Sequence, residues 1–183
     1  MSGLQPTSFA LASASSARRD DNPVIFLETK LLYVEGGNGP VPEENYAIPI
    51  GKADVKREGT DVTVVATMAM VPRALSAART LEREGISVEV VDPRTLKPLD
   101  EETILNSVMK TNRCVTVEEG WPVASIGNHI SAVLMQRAFD YLDAPVINCT
   151  GKDVPMPYAA NLEKLALTST EEVMDAVRQV TYR

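Results

Sequence analysis

The sequence has few aromatic residues, few cysteines and a single histidine, and it has no long hydrophobic run. Aromatic residues make up 5% of the 183 residues, beside two cysteines and one histidine. The longest apolar stretch, residues 62–71, is interrupted by Thr63 and Thr67 and falls far short of the roughly 18 residues of a membrane-spanning helix. These deficits exclude a disulfide-rich scaffold and predict a protein that does not span a bilayer.

Basic residues are also scarce. The chain has 18 Lys and Arg against 25 Asp and Glu, a net charge of -7 and a sequence pI of about 4.8. Because nucleic-acid binding needs clustered positive charge, this balance argues against a nucleic-acid surface. The rest of the composition, 44% apolar and 23% charged, is that of a soluble globular chain long enough to bury a core as one domain.

The sequence also lacks the usual motifs of cofactor and metal sites. Cys114 and Cys149 lie in apolar runs without CxxC spacing, which indicates buried thiols and leaves a disulfide or a reactive thiol as the alternative. No GxGxxG motif follows any predicted strand. Residues 150–153 (TGKD) lack the upstream glycine and the Ser or Thr of a phosphate loop. The sequence therefore shows no recognisable dinucleotide, phosphate-loop or metal motif.

Two segments differ in character. Residues 1–21 are rich in Ser and Ala, contain Arg18 and Arg19, and have no acid before Asp20. This composition predicts a flexible leader, which is either an organelle transit segment or a plain disordered tail. Residues 22–183 are expected to form the folded domain.

Within that domain, short β-branched runs alternate with helical stretches, and residues 35–45 form an irregular, glycine- and proline-rich connection. Alternating strands and helices imply parallel βαβ units. We therefore expect an α/β fold, a three-layer open sheet of about five mostly parallel strands with helices on both faces. The predicted strands are 24–27, 62–67, 86–91, 113–118 and 145–149, and the predicted helices are 72–84, one capped by Asp100, 127–139, and one opened by a capping box at Ser169.

Few residues in the loops after the strands could carry chemistry. His129, on a predicted helix, has no carboxylate at helical spacing and is interpreted as a partly exposed histidine. Glu118 and Glu119 end a strand, where a functional carboxylate is conceivable, but a solvated pair is favoured because adjacent strand residues point to opposite faces.

Two further loop features are open to more than one interpretation. The glycine-flanked stretch around Trp121, residues 120–127, could present backbone N–H groups to an anion, although the signal is weak. Residues 153–158 (DVPMPY) contain two prolines that favour a rigid, extended loop. Such a loop is either a packing surface between domains or subunits or a purely structural turn.

Several segments together resemble a known family. They are RDDNPVIFLE, IPIGKADVKREGTDVTVV, VEVVDPRTLKPLDEETILNSVMKT, VTVEEGWP, FDYLDAP and TGKDVPMPYAANLEKLAL. From Arg19 to Arg183 the chain is similar to the carboxyl-terminal, transketolase-type domain of pyruvate dehydrogenase beta subunits. The segments DVPMPYA and EEGWP favour these over the related branched-chain and acetoin 2-oxo acid dehydrogenases.

The resemblance implies an enzyme of two alpha and two beta subunits. It would use thiamine diphosphate and magnesium to decarboxylate pyruvate and would acetylate the lipoyl group of an acetyltransferase, feeding acetyl-CoA synthesis. The family's catalytic glutamate and cofactor motifs match no position of this sequence, so this domain alone is expected neither to bind the cofactors nor to be catalytic. The family also implies a mitochondrial matrix location, or the cytoplasm of a bacterium.

What the resemblance carries to individual residues concerns partners. Asp143, in the segment FDYLDAP, and the terminal carboxylate on Arg183 resemble the acidic patch that receives the subunit-binding domain of the dihydrolipoyl acetyltransferase. The alpha subunit and a second beta subunit are the other implied partners. Two alternatives remain open: a truncated, non-catalytic relative acting as a structural or assembly module, and an independent small-ligand-binding domain.

Overall fold

The computed structural model describes residues 6–30, 32 and 47–183 of the chain. Within them a five-stranded sheet is flanked by helices. The strands are β1 (Asp54–Arg57), β2 (Val62–Ala66), β3 (Val88–Asp92), β4 (Cys114–Val117) and β5 (Ile147–Cys149). The helices are α1 (Pro6–Arg19), α2 (Met70–Arg83), α3 (Glu101–Thr111), α4 (Ile126–Arg137), α5 (Ala160–Ala166) and α6 (Thr170–Thr181), with a 3-10 turn at Phe139–Tyr141.

The strand order is β1-β3-β2-β4-β5, and only the β1–β3 pair is antiparallel. β2 is central: its Val64 pairs with Val90 of β3 on one side and with Val115 of β4 on the other. All five residues of β2 are buried, which explains why the strand consists of β-branched residues and one alanine. The predicted α/β fold with a mostly parallel sheet is confirmed.

Helices cover both faces of the sheet. On one face, α2 and α6 pack on a large apolar cluster whose strand members include Val64, Val90 and Val117. On the other face, α3 and α4 pack on a smaller cluster that contains Val65, Val91 and Cys114. Since successive strand residues point to opposite faces, β2, β3 and β4 each contribute to both clusters. The three-layer architecture follows from this division.

The sequence predicted that Asp100 and Ser169 cap the starts of two helices, and the structure confirms both caps. The Asp100 side chain accepts a hydrogen bond from the Thr103 N–H at 3.2 Å. Ser169 and Glu172 form a complete capping box, in which the Glu172 N–H donates to Ser169 Oγ and the Ser169 N–H donates to Glu172 Oε2. These short-range hydrogen bonds satisfy backbone N–H groups that have no partner within the helix at its start.

The predicted strand at residues 24–27 is wrong. These residues adopt neither helix nor strand, and Ile25 and Leu27 are largely exposed. The fifth strand is instead β1, which the sequence analysis missed because its residues, DVKR, are mostly charged. It forms by pairing with β3, Asp54 opposite Asp92 and Val55 opposite Val91. An edge strand tolerates charged residues that a central strand excludes.

Two more helices were not anticipated. Within the leader, residues 6–19 form α1, and Ser16 Oγ donates to the Ile48 carbonyl at 2.5 Å. That residues 1–21 are a targeting segment stays a prediction. The short helix α5 follows the proline-rich loop. The predicted irregular connection at residues 35–45 lies outside the described residues.

β1 and β2 follow each other in sequence but are separated in the sheet by β3. Residues 58–61 join them by crossing the start of β3. The approach is so close that a Cβ on Gly59 would lie 2.2 Å from the Glu89 backbone nitrogen. Only glycine fits this crossing.

A buried carboxylate lies directly below the crossing. Glu89 is 2% exposed and accepts hydrogen bonds from the Gly59 N–H at 3.2 Å, Ser107 Oγ at 2.5 Å and Lys110 Nζ. Burial alone would raise the pKa of Glu89, but these hydrogen bonds, that from Lys110 foremost, outweigh it and lower the pKa. The Glu89 carboxylate therefore links α3 and the crossing segment to β3 through hydrogen bonds.

Candidate functional site

The parallel strands end at one edge of the sheet, here called the carboxyl edge, and begin at the other, the amino edge. Open α/β sheets bind ligands at the carboxyl edge where successive connections leave a strand in opposite directions. Because β3 and β4 lie on opposite sides of β2, this point falls between the ends of β2 and β4. The Thr67 N–H donates to the Val117 carbonyl there at 3.3 Å. The loops that follow these two strands therefore lie side by side.

Both loops contain a non-glycine residue in the left-handed region. Met68, after β2, has φ 51°, and Ala124, after β4, has φ 58°. Such backbone is unfavourable for residues with a Cβ, persists only where the surroundings impose it, and often marks functional segments. The loop between β4 and α4 is therefore a candidate functional segment.

The loop is anchored by Glu118, the residue that follows β4. Glu118 is 8% exposed, and its Oε1 accepts a hydrogen bond from the Gly127 N–H at 2.9 Å in the first turn of α4. Its backbone carbonyl accepts from Thr168 Oγ1 at 3.2 Å. A carboxylate at this position is stabilised by the positive end of the helix dipole. The prediction of a solvated Glu118–Glu119 pair is therefore wrong for Glu118, while Glu119 is half-buried.

Gly127 lets this contact form. A Cβ at position 127 would lie 2.4 Å from Thr116 Oγ1 and 2.9 Å from Glu118 Oε1. The surrounding side chains are fixed by their own bonds: Thr116 Oγ1 donates to Asn148 Oδ1 at 2.8 Å, and Ser131 Oγ donates to the same oxygen at 3.0 Å. The Gly127 N–H that the sequence analysis offered to an external anion is thus occupied by Glu118.

The structure also places the other candidate residues. His129 is exposed on α4, as expected. Trp121 is about half exposed, and residues 153–158 run without helix or strand along the surface. The Gly151 N–H donates to the Gly120 carbonyl at 2.9 Å, which ties the two loops together. The loops that follow β4 and β5 therefore expose apolar side chains, among them Trp121 and Met156.

A cavity of about 440 Å³ lies along β5 and α6. Lys152 and Glu172, which form an ion pair, line it together with Cys149. Burial, with Glu172 nearby, raises the pKa of the Cys149 thiol to about 11, and burial alone raises that of Cys114 to about 12. Both thiols are free, buried and protonated near neutral pH, so neither is a nucleophile. The prediction of buried thiols is confirmed.

Two absences hold within residues 6–30, 32 and 47–183. No group of three or more His, Cys, Asp or Glu side chains there is arranged to hold a metal ion. No helix there is both long enough and apolar enough to cross a membrane.

Asp143 lies at the amino edge, opposite the Trp121 loop. Its carboxylate is just over half exposed and forms an ion pair with Arg113, with 3.1 Å between Nη2 and Oδ2. The Asp143 N–H donates to the Asn112 carbonyl at 2.9 Å. Its carbonyl accepts from the Tyr182 hydroxyl at 3.2 Å, which brings the Asp143 loop to the end of α6. Sequence reasoning missed Arg113 and Tyr182, since neither carries a motif that points to Asp143.

Arg183 lies at the same edge. Its Nη1 donates to the Gly85 carbonyl at 2.8 Å, and its N–H donates to the Arg178 carbonyl at 3.1 Å. The structure therefore places the two predicted partner-binding residues, Asp143 and Arg183, at one edge of the molecule. Tyr182, which directly precedes Arg183, contacts Asp143.

Comparison with known families matches residues 51–173 to the family described as "Transketolase, C-terminal domain". Among solved structures, one described as "Split gene transketolase, inactive beta4 tetramer" is similar. It is 35% identical with a TM-score of 0.66, and the match covers 80% of this chain and 47% of that one.

Curated relatives extend the similarity beyond the matched domain. The chain is 52% identical over 170 residues to the mitochondrial pyruvate dehydrogenase E1 component subunit beta of Dictyostelium discoideum, covering 92% of this chain and 48% of that protein. It is 53% identical over 167 residues to the corresponding subunit of Rickettsia felis, covering 91% and 51%. The chain thus spans about half the length of these relatives.

Proposed function

The chain belongs to the family of transketolase C-terminal domains, and on that premise we propose that it is the carboxyl-terminal domain of a pyruvate dehydrogenase beta subunit. The observation that carries the proposal is the identity of about half its residues to such subunits over nine-tenths of the chain. In the complete enzyme, pyruvate is decarboxylated and the acetyl group passes to the lipoyl group of an acetyltransferase. This domain contributes subunit assembly and acetyltransferase docking.

Thiamine diphosphate and magnesium belong, in this proposal, to the complete enzyme and not to this domain. Magnesium and a diphosphate need oxygen ligands and backbone N–H groups that converge on one point. The described residues offer no such set: they contain no cluster of three potential metal ligands, and the α4 N-terminus is occupied by Glu118. The described residues therefore do not by themselves form a site for these cofactors.

The docking role is assigned to Asp143 together with the terminal carboxylate on Arg183. The Tyr182–Asp143 contact supports this assignment because it holds the end of α6 against the Asp143 loop. The chain's net charge of -7 suits a basic partner. Exposed carboxylates facing a basic surface contribute mainly orientation and association rate. The alpha subunit and a second beta subunit are the other expected partners.

The test is calorimetric titration of the 183-residue chain with the subunit-binding domain of dihydrolipoyl acetyltransferase at low and high salt. We expect Asp143→Asn to weaken binding about tenfold, or about 1.4 kcal/mol, and to flatten its salt dependence. Asp153→Asn is the matched control because it removes an exposed carboxylate at the opposite edge, and it should bind like the wild type. An Asp143→Asn variant with unchanged affinity at low salt would refute the docking role.

A second candidate function is a non-catalytic assembly module. The similarity to the split-gene transketolase chain, which is described as an inactive tetramer, favours it. Co-purification from native extract separates the two candidates, since alpha subunit and acetyltransferase accompany the chain only in the first. The relatives include mitochondrial and bacterial proteins, and we propose the mitochondrial matrix, with the bacterial cytoplasm as the alternative.

A further inference from the structure

We propose that a cavity between the starts of α2 and α6 binds a phosphate group, either the free ion or the phosphoryl end of a small metabolite. This cavity, here called the basic cavity, has a volume of about 280 Å³. Arg73 of α2, Lys164 of α5 and Thr170 of α6 line it, together with residues 167–169. Its lining contains two cationic side chains and no acidic one.

The fold brings the starts of two helices together at this point. α2 begins at Met70, soon after the end of β2, and so starts at the carboxyl edge. α6 starts there too, because Thr168, two residues before it, donates through Oγ1 to the carbonyl of Glu118 at the end of β4. Arg73 joins the two starts, since its Nη1 donates to the Thr168 carbonyl. The basic cavity thus lies at the edge where open α/β sheets bind ligands.

Arg73 lacks the acidic partner that comparable side chains have. Six basic side chains of the described ranges are half-buried. All of them except Arg73 form ion pairs there: Lys56, Arg57, Arg94, Arg113 and Arg178. A partly buried cation without a counter-ion is unfavourable, and a cation near the start of a helix also opposes the helix dipole. An anion in the basic cavity removes both penalties.

The remaining polar groups of the basic cavity are donors as well. Lys164 is exposed and forms no ion pair with a described residue. Thr170 is the first residue of α6, so its N–H has no partner within the helix. The capping box uses only the N–H groups of Ser169 and Glu172. Guanidinium, ammonium, hydroxyl and helix-start N–H groups are the donors that proteins use to bind phosphate.

The charge and the size of the basic cavity limit what it can hold. Its two cations match a phosphate monoester, which carries a charge of about -1.5 to -2 at pH 7 and three acceptor oxygens. Because its lining has no carboxylate, it offers no acidic ligand to magnesium, which distinguishes it from a magnesium diphosphate site. Its volume lies just below the roughly 300–1,000 Å³ of ordinary small-ligand pockets. It therefore suits a phosphate with at most a small organic group attached.

The neighbouring acidic side chain does not occupy the basic cavity. Glu172 forms an ion pair with Lys152 and lines the larger cavity along β5. Its other oxygen accepts from the Ser169 N–H at 2.8 Å. Both carboxylate oxygens of Glu172 are thus engaged, and Arg73 and Lys164 stay available to an external anion.

The test is amide NMR of the isotope-labelled 183-residue chain, titrated with inorganic phosphate and separately with glycerol 3-phosphate at constant ionic strength. We expect saturable shifts at residues 73 and 164–171, with a dissociation constant on the order of 1 mM. Arg73→Gln should raise this constant about tenfold, and Lys164→Gln about threefold. Arg79→Gln removes the same charge from an exposed position of α2, so it is the matched control and should bind like the wild type.

The two probes and the two variants make the outcome decisive. Phosphate that binds at least as tightly as the ester assigns the basic cavity to the free ion, and tighter binding of the ester assigns it to a phosphorylated metabolite. Lys164 is exposed, so Lys164→Gln stays informative even where Arg73→Gln disturbs the fold, which the amide spectrum of the core strands reports.

Three results would overturn the proposal. They are the absence of saturable shifts up to about 20 mM of either probe, shifts centred away from the basic cavity, and wild-type affinity in both Arg73→Gln and Lys164→Gln. Because the assay contains no partner protein, its result is independent of the proposed function and of docking through Asp143.

Discussion

Replacing Gly127 by alanine tests how the loop between β4 and α4 is anchored. The new methyl group would lie 2.4 Å from Thr116 Oγ1 and 2.9 Å from Glu118 Oε1, both below normal contact distance. Thr116 cannot move freely, because its hydroxyl is bonded to Asn148 at 2.8 Å. Relief must come from displacing Glu118, which lengthens its bond to the residue 127 N–H, or from shifting the start of α4.

The size of the effect follows from three contributions. Forcing an extra methyl group into a packed site costs about 1–3 kcal/mol. Weakening a buried hydrogen bond to a carboxylate costs up to about 1.5–3 kcal/mol. Alanine recovers up to about 1 kcal/mol because it favours helix over glycine. We expect a net loss of about 2–3 kcal/mol in the free energy of unfolding.

Urea denaturation followed by circular dichroism measures this loss. With a slope of about 2 kcal/mol per M, the unfolding midpoint should fall by roughly 1 M. Gly120→Ala is the control: its Cβ would lie 3.2 Å from Glu118 Oε2, the end of a flexible side chain, and should change stability by less than about 1 kcal/mol.

A double-mutant cycle assigns the cause. Thr116→Ala removes the nearest contacting atom, so Gly127→Ala should cost at least about 1 kcal/mol less in that background. An unchanged or higher midpoint for Gly127→Ala would refute the close approach. A cost unaffected by Thr116→Ala would refute its assignment to Thr116.

Two further predictions concern buried groups. The pKa of Glu89 is lowered in the folded protein from an ordinary value of 4.5, so its contribution to stability is complete above that pH and is lost as pH falls through the folded pKa. The stability advantage of the wild type over Glu89→Gln, measured by urea denaturation at pH 7, 5 and 3.5, should therefore shrink only below about pH 4.5, and a constant difference would contradict the argument. The pKa values of Cys114 and Cys149, raised to about 12 and about 11, predict that neither thiol reacts with a disulfide reagent at pH 8 in the folded chain and that both react in urea; labelling of the folded chain within minutes would show that the thiols are accessible.

The sequence predicted the features that depend on nearby residues. Asp100 and Ser169 cap helices through side chains that bond three residues along the chain, so their role is visible in the local pattern. The parallel core strands are equally clear, because burial on both faces favours runs dominated by β-branched residues, such as VTVVA. Local sequence patterns failed where the pairing of a segment with a neighbouring strand determines whether it becomes a strand. Residues 24–27 have a strand's composition but no strand beside them in the described sheet, whereas charged Asp54–Arg57 becomes a strand because β3 supplies a partner.

The candidate site shows the same limit. The position of Glu118 at the end of a strand was apparent, but its burial was not. That burial arises because Gly127 and Thr168, 9 and 50 residues away, supply donors to its carboxylate and its carbonyl. A strand-end carboxylate followed by a glycine in the first turn of the next helix is the one signal that could have indicated it. The pairing of Asp143 with Arg113 and Tyr182 joins three distant segments, and no local pattern reports it.

The crossing at Gly59 places β1 beside β3, so β1 can join the sheet only after β3 has formed. β1 is made before β2 and β3, yet its sheet partner is β3, which reaches its place only after α2 has carried the chain back to pair β3 with β2. During synthesis β1 therefore emerges without a place in the sheet and must wait for a later segment. The Asp, Lys and Arg residues of β1 keep this segment soluble while it is unpaired. Closure over Gly59 therefore follows the formation of β3, and β1 joins the sheet later than its place in the chain suggests.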